Sequence, residues 1–302
     1  MWSFDADWDG ELAISKSLAL RADESTCFRE PEISLEKEYR VYKALEGTVI
    51  PVPKNYWYEG DTRWIGQPFV IREWMNGVES AFTEKNTVEQ KRALLDHFVE
   101  ILAAQHTLNW QDLDLDWLGV PRDTADCAPT VLDRWEKVVH RELLEPYPLM
   151  TAAMKWLRSN IPDEVDRIVL NQGQVGPGQF LFRDDRVVAS LDWESAYLGD
   201  PMSDIAYFCL QVRLHVGDYT EHLLKRYSNL TSIPIRPDNI RFYTVFHVYW
   251  GGAACLVAIN KFANGLMPSI HSPWLGMGGR PPAAGGPPRT FARRLARLLA
   301  EV

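Results

Sequence analysis

Between Leu170 and Asp204 the chain reads LNQGQVGPGQFLFRDDRVVASLDWESAYLGDPMSD, and this stretch narrows the fold more than any other. A short strand (Ile168, Val169, Leu170) enters a Gly/Pro-rich loop, which leaves through Phe180-Leu181-Phe182. A turn at Asp184-Asp185 starts a second strand, Val187 to Leu191, which ends on Asp192-Trp193-Glu194. Apolar strands framing a polar loop, with carboxylates at the exit, predict a rigid hairpin that holds a charged ligand over its end.

The chain is long enough, at 302 residues, for two modest lobes with a buried core. A net charge of -9 argues against nucleic acid as a partner, because phosphate-backbone binding needs clustered Lys and Arg. Cys27, Cys127, Cys209 and Cys255 lie far apart without metal-ligand spacing and read as buried thiols in a reducing, cytoplasmic setting. The start of the chain lacks a basic region followed by an apolar run, so no signal peptide is expected. The longest apolar run, around Val245 to Ile259, is interrupted by His247 and bounded by Asn260 and Lys261. It falls short of the ~20 residues that span a bilayer, so a buried core helix is expected and no membrane span.

Three zones follow from patterning. Residues 1–75 predict strands at Trp2–Asp7 and Ala13–Leu20 around an Asp9-Gly10 turn, a Ser34-capped helix to Glu46, and strands near Tyr56 and from Pro68 to Glu73. Residues 76–275 predict a helical lobe around the 168–194 hairpin. Its helices run from a Thr87 cap to His106, from a Thr130/Asp133 capping box, over 149–160, and over about 201–213, 218–229 and 237–264. Residues 276–302 comprise a Gly/Pro-rich segment to Pro288 and a terminal amphipathic helix, with a docked helix favoured over a membrane-surface one. The acidic run Asp112, Asp114, Asp116 could face a cationic ligand, with a solvated surface loop the favoured reading.

The order of these residues resembles the aminoglycoside phosphotransferase and choline kinase-like family. That family reads His-Gly-Asp-x-x-x-Gly-Asn-x-Leu, then Asp-Trp-Glu, then Gly-Asp-Pro-x-x-Asp. Here the frame is Gln172-Gly173-Gln174, Gly178-Gln179-x-Leu181, Asp192-Trp193-Glu194, Gly199-Asp200-Pro201 and Asp204. The resemblance covers roughly residues 2 to 265. It implies an α+β, protein kinase-like bilobal fold with a mixed small-lobe sheet and a larger helical lobe. It also implies ATP and Mg²⁺ as cofactors and a small-molecule hydroxyl as substrate. A Gly/Ser-rich phosphate loop precedes the strand matching Trp2–Asp7 in the family, so the small lobe is expected to be truncated at its start, either lacking its nucleotide lid or beginning upstream of Met1.

Carried over residue by residue, Arg21 faces the nucleotide phosphates and Glu38 orients it. The backbone of Glu73, Trp74 and Met75 meets the adenine edge. Asp192 holds the metal, with Glu194 and Gln179 assisting, and Asp204 braces the catalytic loop through backbone N–H groups. The departures concern mechanism. Gln174 stands where the family has its proton-accepting Asp, Gln179 where it has a metal-binding Asn, and Gln172 where it has a His. An amide orients a hydroxyl but cannot deprotonate it. Two readings follow: a phosphotransferase slowed by its loop, and a pseudoenzyme that keeps the pocket as a binding or interaction module.

Overall fold

The computed structural model describes residues 2–6, 16–22, 33–76, 82, 85–142, 147–265 and 287–300. Strands β1 (Trp2–Ala6), β2 (Lys16–Ala22), β3 (Asn55–Glu59) and β4 (Phe69–Glu73) form one sheet in the order β1-β2-β4-β3. Every pairing is antiparallel, so the expected mixed sheet is corrected. The connections fit this in part: β1 with β2 and β3 with β4 are sequential neighbours, which pair antiparallel, while α1 and β3 lie between β2 and β4 in the chain. The Asp9-Gly10 turn lies outside the described residues.

Helix α1 (Leu35–Leu45) begins where Ser34 accepts a hydrogen bond from the Lys37 N–H, as its sequence requires. Leu35, Val41, Tyr42 and Leu45 are buried on one side, and Lys37 and Glu38 are buried with them. Charged residues on an inward face need partners. Those of Glu38 prove to be the site.

The larger part is helical: α2 (Val88–Thr107), α3 (Cys127–Glu142), α4 (Pro148–Ser159), α5 (Met202–Val216), α6 (Thr220–Thr231), α7 (Pro237–Ala263) and α8 (Pro287–Ala300). Thr87 and Gln90 form a reciprocal capping box at the start of α2. Helix α3 starts three residues before the expected Thr130. The chain enters it from a tight 3-10 turn capped by Asp123, which places Thr130 inside the helix with its hydroxyl on Asp126. Phe98 of α2 stacks against Phe180 at 4.8 Å and Phe208 at 5.7 Å, fastening the central loop to the helical core.

Helix α7 has 27 residues and is long and apolar enough to cross a membrane by length and composition. Its bounds agree with the helix expected over 237–264. Most of its apolar stretch is buried, and α7 packs against α4, α5 and α8 as a core helix. Helix α8 docks on α4 and α7 with Leu295 fully buried, in line with the docked reading. Its start at Pro287 takes in the end of the Gly/Pro-rich segment, the rest of which lies outside the described residues. Cys127, Cys209 and Cys255 are buried, and Cys27 is outside the described residues.

The central stretch departs from a single hairpin. Strand β5 (Val169–Asn171) pairs with β8 (Tyr197–Gly199), while β6 (Phe180–Arg183) and β7 (Arg186–Ser190) pair with each other. Two small ribbons thus frame the loop on one side and the Asp192 turn on the other.

Candidate active site

Asp204, fully buried on α5, organises the loop. Its Oδ2 accepts the Gln172 backbone N–H at 2.8 Å and its Oδ1 the Gly173 N–H at 2.8 Å. From α2, Gln105 donates its amide to Asp204 at 3.0 Å and to the Leu170 carbonyl at 2.8 Å. His106 lies 3.3 Å from the same carboxylate, and its other ring nitrogen meets the Tyr227 hydroxyl at 2.7 Å. A buried carboxylate with this many donors makes a rigid anchor. The bracing geometry expected for Asp204 is present, and Gln105, His106 and Tyr227 extend it.

The loop is pressed against the turn beyond it. Gly173 has φ +92°, and a Cβ there would sit 2.7 Å from the Ser195 carbonyl oxygen, so a side chain is excluded. Gln172, buried, donates its amide to the Leu191 carbonyl, joining the loop to the residue before Asp192. Gln174 donates its amide to the Ser195 hydroxyl at 2.9 Å. Oriented so that both groups are satisfied, the Gln179 amide donates to Asp192 and to the Gly178 carbonyl.

Asp192 adopts the left-handed conformation, φ 57° and ψ 56°, which a short polar residue tolerates better than most. Its backbone N–H donates to the Tyr42 hydroxyl of α1 at 3.2 Å. The turn is therefore held from the small lobe as well as from the loop, and its side chain stays 40 % exposed.

Arg21 of β2 joins the two lobes. Its guanidinium pairs with Glu38 at 2.6 Å, with Glu194 at 3.1 Å and with Asp192 at 3.7 Å. Behind it Arg72, 7 % exposed, reaches Glu38 at 3.6 Å. Three carboxylates thus face two guanidiniums, leaving one negative charge in excess. Burial, then Glu38 and Asp192, push Glu194 up to about 7 against the pull of Arg21. Burial likewise raises Glu38, opposed by Arg21 and Arg72.

Among the described residues, no three His, Cys, Asp or Glu side chains converge as a metal cage. Mg²⁺ takes one or two carboxylates and retains waters, so Asp192 and Glu194 with their surplus charge fit that ion. In the orientation that satisfies both of its groups the Gln179 amide gives its N–H to Asp192, and a half-turn would offer its oxygen to a metal there.

At the expected adenine edge, the Glu73 N–H donates to the Lys54 carbonyl at 2.8 Å and the Trp74 N–H to the Ser17 carbonyl at 3.1 Å. Both amides are thus held within the sheet, and neither bond involves Met75. Arg183 of β6 donates to the Asn76 carbonyl at 2.7 Å, fixing the lobe connection to the hairpin. Arg72, Tyr42 and Ser195 were not singled out from sequence. For Arg72 a signal existed: a charged residue two positions after Val70, on the inward parity of an apolar strand.

The profile of the phosphotransferase enzyme family (APH) matches residues 14–242, well over half of the chain. The chain belongs to that family. Solved relatives repeat the fold over nearly its whole length. A Ralstonia eutropha JMP134 protein provisionally assigned as an aminoglycoside phosphotransferase superposes with TM-score 0.74 and 24 % identity, covering 99 % of this chain and 93 % of that one. The choline kinase LicA from Streptococcus pneumoniae gives TM-score 0.62 at 16 % identity, covering 98 % and 93 %. Among sequences, acyl-CoA dehydrogenase family member 11 from Homo sapiens is 31 % identical over 180 residues, 58 % of this chain and 23 % of that protein. Probable acyl-CoA dehydrogenase IBR3 from Arabidopsis thaliana is 28 % identical over 213 residues, covering 67 % and 25 %. The chain thus spans about a quarter of the length of these relatives.

Proposed function

We propose that the chain is a small-molecule phosphotransferase. It moves the terminal phosphoryl group of a nucleoside triphosphate, ATP by the family frame, onto a substrate hydroxyl, and its catalytic loop slows the transfer. The observation that carries this reading is Arg21, oriented by a buried Glu38 and reaching both Asp192 and Glu194 across the cleft. A cation held by one carboxylate beside two more suits a polyphosphate that arrives with its own metal. Asp192 and Glu194 would hold Mg²⁺, which when bound neutralises charge on the phosphate oxygens. Arg21 positions the phosphates, Asp204 and Gly173 keep the loop in place, and Gln174 orients the acceptor hydroxyl without taking its proton. A missing general base costs about 10²–10⁴ in rate.

A second reading, a pseudoenzyme, is favoured by the engagement of Gln174 with Ser195 and of the Gln179 N–H with Asp192. The test is ADP release with a panel of amino-alcohol and aminoglycoside acceptors. Gln174→Asp is expected to raise transfer by about 10²-fold or more, and Gln179→Asn to add to it. Inactivity of every variant despite nucleotide binding would favour the pseudoenzyme. Activity in the native chain that Gln174→Asp removes would make the amide itself the functional group.

A further inference from the structure

Arg21 of β2 lies on the same two carboxylates that the proposed metal would use. Its Nη2 donates to Glu194 Oε2 at 3.1 Å, and its Nη1 is 3.7 Å from Asp192 Oδ1. From behind, Nη1 is anchored by a bond to Glu38 on α1 at 2.7 Å. One guanidinium thus ties the small-lobe helix to the Asp192–Glu194 turn. Burial works against its charge, while Glu38, Glu194 and Asp192 together hold it above its usual value, so it stays protonated.

A divalent cation at this turn needs the oxygens of Asp192 and Glu194 turned toward itself in near-octahedral order. Arg21 opposes that in two ways. It keeps the Glu194 oxygen engaged in a charge-assisted hydrogen bond, and it places a positive charge next to both carboxylates. The remaining guanidinium of the cluster, Arg72, reaches Glu38 at 3.6 Å and is buried behind it. Removing Arg21 therefore uncovers the turn itself.

We propose that Arg21 is the internal counter-ion of the metal site, guarding Asp192 and Glu194 against free Mg²⁺ until nucleotide phosphates draw the guanidinium away. The inference rests on the phosphotransferase reading and gives the order in which that site fills. Phosphate oxygens accept from both arms of a guanidinium fork, which a single carboxylate contact on each arm does not match. Because Glu38 keeps its hold on Nη1, release of the turn is a rotation about a fixed anchor. Metal and nucleotide then raise each other's affinity by the same factor, and metal alone is held off.

Mn²⁺ titrated without nucleotide, with the free ion followed by electron paramagnetic resonance, tests this in the native chain, Arg21→Met and Arg21→Lys. Arg21→Met is expected to bind Mn²⁺ alone about tenfold more tightly than the native chain, or better. Arg21→Lys keeps a charge on Glu38 but lacks the fork that holds Glu38 and Glu194 together, so its affinity should fall between the two. It also serves if Arg21→Met melts too low to titrate. Adding Asp192→Ala to either variant should abolish the gain. A purely structural Arg21 would lower the melting temperature in both variants without raising Mn²⁺ affinity. Mn²⁺ binding in both variants no tighter than in the native chain, or a gain that survives Asp192→Ala, overturns the inference alone. Failure of the native chain to bind nucleoside triphosphate in the presence of Mn²⁺ overturns the phosphotransferase reading, and this inference with it.

Discussion

Glu38 is the residue on which the electrostatics of the site converge. It is 2 % exposed and faces both Arg21 and Arg72. Removing one partner of a buried ion pair leaves charge uncompensated, so Glu38→Ala should cost about 3–5 kcal/mol in denaturant unfolding. A loss below about 1 kcal/mol would show that the pairs are solvent-screened. Glu194 supplies a pH test. Burial raises it from 4.5 to about 7, so the folded chain keeps a proton that the unfolded chain releases across that interval. Stability from this group therefore falls as pH rises from about 5 to 7. Relative to Glu194→Gln, the native melting temperature should drop across that window, and a constant difference would contradict the assignment. Arg21, Glu38, Asp192 and Glu194 were legible as residues because each occupies a fixed place in the motif frame. Tyr42 was not, because its role depends on how α1 packs, and Arg72 was signalled only by its inward parity in β4.

At the scale of elements, local chemistry was readable where one residue decides the geometry. Ser34 and Thr87 cap their helices as their side chains dictate. Pairing was not readable for β5 and β8, three residues each, because their partnership closes over the loop and depends on nonlocal contacts. Nor was the Thr130 cap, since the preceding 3-10 turn carries the chain into α3 early. Gly173 belongs to this scale because it sets the distance between loop and turn. Gly173→Ala combines a positive φ with a 2.7 Å approach to the Ser195 carbonyl. It should destabilise the fold by at least about 1–3 kcal/mol in thermal or chemical unfolding. A neutral Gly173→Ala would mean that loop and turn separate freely.

For the whole molecule, the links between the two lobes among the described residues include Arg21 to Asp192 and Glu194, Tyr42 to the Asp192 backbone, Ser190 to Pro51, and Arg183 to Asn76. The bilobal plan was legible from strands preceding helices around one motif block, as was the extent of α7 from Pro237 onward, whereas the all-antiparallel sheet came from nonlocal strand pairing. The central claim is that this cleft binds a nucleotide with its metal at Asp192. The direct measurement is titration of nucleoside triphosphate into the native chain and into Asp192→Ala, each with Mg²⁺ and with chelator. The account predicts that Mg²⁺ tightens binding to the native chain and that Asp192→Ala abolishes this gain. Equal affinity with and without Mg²⁺, unchanged by Asp192→Ala, would contradict it.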